Sequence, residues 1–90
     1  MPTVLIPPPY RGPTQGTGEV EVEGGDVLGS LEDVDRKFPG FLAQVVNEDG
    51  AVLPFVKLFK NGDQLDVAEA LRTPVGGDDE IEVLAAIAGG

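Results

Sequence analysis

Side chains able to do covalent chemistry are scarce in this chain. Cysteine and histidine are both absent from its 90 residues, which removes thiolate and imidazole nucleophiles, disulfides, iron–sulfur ligation and the commonest zinc ligands together. The 16 aspartates and glutamates are spread along the chain without the loop spacing of an EF-hand, so no metal or cofactor site is expected. The acids and lysines form no recognisable nucleophile and base pair, so the chain is not expected to be an enzyme. What remains is the terminal carboxylate, carried on Gly90 behind Ala88 and Gly89. A carboxylate that must enter a narrow channel needs an extended neck without Cβ atoms, and two glycines supply one. The competing account is a frayed terminus or a cloning scar.

A carboxylate offered to another protein needs a body to carry it, and composition bounds that body. Ninety residues fall within one domain and one contiguous core. A hydrophobic content of 41% suffices for folding without a disulfide. No run of about 18 apolar residues is present, and Met1 is not followed by a basic segment and an apolar stretch; neither a membrane span nor a signal peptide is expected, and a cytoplasmic location follows by default. The formal net charge of −10 repels phosphates, which disfavours nucleic acid as a partner. It favours a basic protein surface, or merely keeps a small protein soluble.

Local patterns predict the elements. Val4-Leu5-Ile6 is a short β-branched run closed by Pro7-Pro8-Pro9, since proline lacks the donor that a ladder needs. Tyr10 to Gly18 is aperiodic and predicts a mobile loop. Glu19 to Glu23 alternates strictly, with Val20 and Val22 on one face and three carboxylates on the other. After Gly24-Gly25, Asp26 is placed to cap a helix whose stripe is Val27, Leu31, Val34 and Phe38; Pro39 stops it. Gly29 inside this helix hints at a close approach of helix and sheet. Phe41 to Val46 predicts a short helical turn closing one end of the core, followed by the polar turn Asn47 to Gly50. Phe55 to Lys60 then leads into Asn61-Gly62, the signature of a type I′ hairpin. Gln64-Leu65-Asp66 returns, Val67 to Leu71 is a brief turn, Pro74 to Asp79 is loop, and Glu80 to Ile87 is the last strand. The first and last strands cannot be joined by a tight turn. Pairing them in parallel at the centre of the sheet, around the helix, gives an α+β β-grasp arrangement: a mixed sheet of four to five strands packed on one main helix. The expected division is a domain over residues 1–86 and a flexible tail over 87–90.

Taken in order, Phe55-Val56-Lys57-Leu58-Phe59-Lys60-Asn61-Gly62, then Leu71, Thr73-Pro74-Val75, Asp78-Asp79-Glu80, and Val83-Leu84-Ala85-Ala86-Ile87-Ala88-Gly89-Gly90 resemble the ubiquitin-like sulfur carriers of MoaD/ThiS type. The length and the Ala-Ile-Ala-Gly-Gly ending are most similar to the carriers that give sulfide to a cysteine synthase, although Lys57 and Lys60 stand where those tend to have an amide and an apolar residue. The resemblance implies that a ubiquitin-activating-type enzyme adenylates Gly90 and that a sulfur donor displaces AMP to leave a thiocarboxylate. The chain is then a co-substrate, ATP belongs to the activating partner, and the other partners are the sulfur donor and a sulfur-accepting biosynthetic enzyme. Cysteine synthesis is the first choice of pathway, with molybdopterin, thiamin thiazole, tRNA thiolation or a specialised metabolite behind it.

Docking follows from the alternation of strand residues. If Val56 and Leu58 face the helix, Phe59 faces outward, as do Leu84, Glu80 and Glu82 on the last strand. An apolar patch of Phe59 and Leu84 ringed by Glu80 and Glu82 is the expected docking site for the activating enzyme; a register slip of one residue would instead put Phe59 in the core. Two other functions are compatible with the same sequence: a covalent modifier joined to lysines as ubiquitin is, and a non-covalent β-grasp binding module.

Overall fold

The computed structural model describes residues 1–85. Five strands and one helix follow in the order β1 (Thr3–Leu5), β2 (Glu19–Glu21), α1 (Val27–Lys37), β3 (Val56–Lys60), β4 (Asp63–Gln64) and β5 (Glu80–Ala85). The sheet order is β2-β1-β5-β3-β4, with β1 and β5 parallel and every other pair antiparallel. The terminal strands therefore lie side by side within the sheet, which is the β-grasp arrangement expected from the pattern.

Each element has a local cause. Helix α1 starts where Asp26 accepts a hydrogen bond from the Gly29 amide at 2.6 Å, satisfying one of the four free donors of the first turn. Its stripe of Val27, Leu31 and Val34 is wholly buried, while Phe38 caps the C-terminal end and packs partly against the core. In the turn between β3 and β4, Asn61 and Gly62 take φ of 52° and 87°, the left-handed geometry of a type I′ turn. The turn around Leu42–Gln44 buries Phe41 and Val45 completely and closes one end of the core, into which Val4, Val56, Leu58, Ile81 and Val83 also project.

Several of the expected elements differ in detail. The loop over Tyr10 to Gly18 packs on the body of the protein: a 3-10 turn at Pro8–Tyr10 leads into it, Tyr10 and Thr14 are buried, and the Thr14 hydroxyl donates to the Thr17 carbonyl at 2.9 Å. Aperiodic sequence conceals such packing because a turn carries no repeat for its contacts. The close approach suggested by Gly29 has Gly24 as its other side: an added Cβ at Gly24 would lie 2.3 Å from the Gly29 carbonyl carbon and the Ser30 nitrogen, and one at Gly29 would lie 3.4 Å from the Gly24 Cα; the chain leaving β2 rests on the first turn of α1. Strand β1 spans Thr3–Leu5, one residue earlier than the apolar run, since Thr3 pairs with both Glu21 and Glu80.

Candidate functional site

The expected working group, Gly90, lies with Ala88 and Gly89 outside the described residues. Their point of departure is fixed, because β5 runs to Ala85 between β1 and β3. Strand β5 is anchored at its start by the β3–β4 turn. Asn61 accepts from the Glu80 amide at 2.9 Å, its own amide nitrogen donates to the Glu80 carbonyl at 2.9 Å, and its side chain donates to Asp79 at 2.9 Å. Asp79 also accepts from the Gly76 amide at 2.7 Å, and the Lys60 ammonium stands 3.6 Å away. The Asn61 hydrogen bond first, then the Gly76 amide and the Lys60 charge, hold the Asp79 carboxyl below its ordinary 3.8.

The outward face of the sheet is set by register. Val56, Leu58, Ile81 and Val83 are buried, so Lys57, Phe59, Glu80, Glu82 and Leu84 point the other way. The expected orientation of Phe59 holds, and the slipped register does not occur. Phe59 faces Glu82, and Leu84 faces Lys57, across the β3–β5 pair; Phe59 and Leu84 are therefore diagonal neighbours, within reach of large side chains. Glu80 stands further off. It pairs with Thr3, four residues along β5 from Leu84, or about 13 Å at the rise of an extended strand.

Structure adds residues that the sequence reading left out. Leu5 is flanked by Glu82 on one side and Glu19 on the other, and Thr3 by Glu80 and Glu21. Four carboxylates thus straddle β1, two of them on the edge strand β2. Beside Leu84 lies a concavity of about 510 Å³ lined by residues that include Leu5, Pro7, Arg11, Gly18, Glu19 and Glu82. The strict alternation of Glu19 and Glu21 was already visible; joining it to the parallel β1–β5 pair would have placed them here. Arg11 gave no such signal, since an irregular turn delivers it.

Among the described residues no group of three or more acids is placed to hold a metal ion. None of their helices is long and apolar enough to cross a membrane. The face sets half-buried apolar side chains within a frame of charge, a composition found where proteins meet other macromolecules.

No family model matches the chain. Small archaeal modifier protein 3 of Haloferax volcanii is 35% identical over 66 residues, covering 73% of this chain and 67% of that protein. Sulfur carrier protein CysO of Mycobacterium tuberculosis is 29% identical over 91 residues, covering 98% and 97%. A shorter match, 37% identical over 49 residues to a candidate sulfur carrier protein of Archaeoglobus fulgidus, spans 56% of that relative's length. Among solved structures, the Amycolatopsis orientalis BexX/CysO complex contains a chain with a TM-score of 0.90 and 31% identity over the full length of both. These relatives carry the names of carriers and modifiers, not of catalysts.

Proposed function

This chain belongs to the MoaD/ThiS-type family of ubiquitin-like sulfur carriers, and from that membership we propose that its Gly90 carboxylate is adenylated and then converted to a thiocarboxylate. The supporting observation is the position of β5: the Val83-Leu84-Ala85 run that leads into Ala-Ile-Ala-Gly-Gly lies within the sheet, beside the outward face of Phe59, Leu84, Glu80 and Glu82. A partner seated on that face has Ala85, the last described residue of β5, beside it.

The chemistry needs little from the chain itself. A carboxylate oxygen is a poor leaving group, so Gly90 attacks the α-phosphorus of ATP in the activating enzyme, pyrophosphate departs, and a mixed anhydride with AMP results. Sulfide from the donor adds to the carbonyl and AMP leaves, giving the thiocarboxylate. ATP and its magnesium are held by the partner. The acceptor proposed first is a cysteine-forming enzyme, supported by the full-length likeness to sulfur carrier protein CysO; molybdopterin, thiazole, tRNA and specialised-metabolite pathways are the alternatives.

The test is intact mass after incubation with ATP, an activating enzyme and a sulfur source. A gain of about 16 Da, oxygen replaced by sulfur, confined to the C-terminal peptide is expected. No gain with a series of activating enzymes from the same cell would refute the proposal. The 35% identity to a small archaeal modifier protein favours one second reading, conjugation to lysines; Gly-Gly remnants on lysines in digests of cell protein would establish it.

A further inference from the structure

Charge on the outward face is ordered along the strand axis. At the end where β5 begins stand Glu80 and Glu21 about Thr3; next come Glu19 and Glu82 about Leu5. Leu84, at the opposite end, has Lys57 directly across from it and shares its concavity with Arg11. Only 6 of the 90 residues are Lys or Arg, and two of them bracket the place where β5 runs out toward Gly90.

Neither cation is consumed internally. With 16 acids available, Arg36 pairs with Asp33 and Lys60 with Asp79, and Lys37 donates to the Glu21 carbonyl. Among the described residues Lys57 and Arg11 make no ion pair. Arg11 is nonetheless held in place: its Nε donates to the Ile6 carbonyl at 2.9 Å, and its guanidinium lies over Gly18, where a Cβ would sit 2.6 Å from Nη2 and 2.9 Å from Cζ. A glycine at 18 leaves open the space the guanidinium occupies.

We propose that this face docks in one orientation only, on a partner whose basic groups meet the Glu80/Glu21 end and whose tail-binding channel has an acidic lip that meets Arg11 and Lys57. The inference rests on the carrier reading above. The Glu80/Glu21 row and the row of Leu84 and Lys57 are separated by about 13 Å of strand, more than the screening length of about 8 Å at physiological ionic strength, so a partner senses these two rows as distinct charges, with Glu19 and Glu82 between them. A uniformly acidic face would attract a basic surface in any rotation about the sheet normal. The ordered face penalises the reversed rotation by like-charge contact at both ends.

The test uses the activating enzyme that adenylates the wild-type chain and follows pyrophosphate release against carrier concentration. Arg11→Glu with Lys57→Glu takes the net charge from −10 to −14. If overall charge alone steers docking, that variant binds better and KM falls; the ordered face requires KM to rise, by about ten-fold for two reversed rim charges, with kcat unchanged. Gly18→Ala, which leaves charge alone and displaces the guanidinium, raises KM by a smaller factor. Thermal midpoints equal to wild type show that each variant is folded. A lower or unchanged KM for the double variant overturns the ordered docking and leaves the carrier function standing. A wild-type chain that no activating enzyme adenylates overturns the carrier reading and this inference with it.

Discussion

Substituting Gly24 by alanine should damage the fold far more than the same change at Gly25, next door in sequence. At Gly24 the new methyl carbon falls 2.3 Å from two backbone atoms of α1, the Gly29 carbonyl carbon and the Ser30 nitrogen. Ordinary contact needs about 3.5 Å or more, so the strand exit and the first helical turn must part by roughly an ångström, and no side-chain rotation relieves it. Overpacking of this kind costs about 1–3 kcal/mol. The displaced turn also carries the Asp26 cap at 2.6 Å, worth about 0.5–2 kcal/mol, so a loss of about 2–5 kcal/mol is expected. That is a large fraction of the roughly 5–13 kcal/mol available to a domain of this size, and corresponds to a fall in Tm of at least about 8 °C. At Gly25 an added Cβ meets nothing within 4 Å, and the lower entropy of the unfolded chain makes alanine neutral or slightly stabilising there. Urea unfolding followed by circular dichroism measures both. Equal stabilities for the two variants would refute the claim that the β2 exit rests on helix backbone. Below its melting temperature the Gly24 variant should still acquire sulfur, since the substitution touches neither the outward face nor the C-terminal segment.

Phe59→Ala should leave the protein folded, because the ring is outside the core, while raising KM for adenylation about ten-fold or more as a central contact is lost; unchanged kinetics would remove Phe59 from the docking face, and unfolding would show it to be a core residue. Tyr10→Phe should be neutral or stabilising by up to about 1 kcal/mol, because the phenol is buried with no hydrogen-bond partner among the described residues and burial pushes its pKa up; a clear loss in urea unfolding would reveal a bound water or another partner. Asp79→Asn should destabilise at neutral pH. The native carboxyl is held below its ordinary 3.8, so its contribution is full above that value and is lost as pH falls through the lower native pKa; the gap between variant and wild type should close on acidification below about pH 4. A gap that is constant with pH would show that the charge of Asp79 contributes nothing.

Much of the outward face can be read from strand alternation, because a pleated strand sends successive side chains to opposite sides whatever it packs against. Alternation opposes Val56 and Leu58 to Phe59, and Ile81 and Val83 to Glu82 and Leu84, while burial of the first set in each strand decided which side faces out; the Asn61-Gly62 turn fixed where β3 ends. The same local logic placed the Asp26 cap and the buried stripe of α1. The alternation, the turn and the cap depend on no residue distant in sequence.

Tertiary structure decided which outward residues became neighbours. Glu19 and Glu21 join Glu80 and Glu82 only because β1 lies between β2 and β5, and Arg11 comes to line the same concavity as Leu84 only because an irregular turn folds back over Gly18. Asn61 anchors β5 through Glu80, nineteen residues away, a distance over which no periodicity persists. Local sequence sets the direction of a side chain through backbone geometry that each residue carries itself; adjacency across strands is settled by how the whole chain closes its one core.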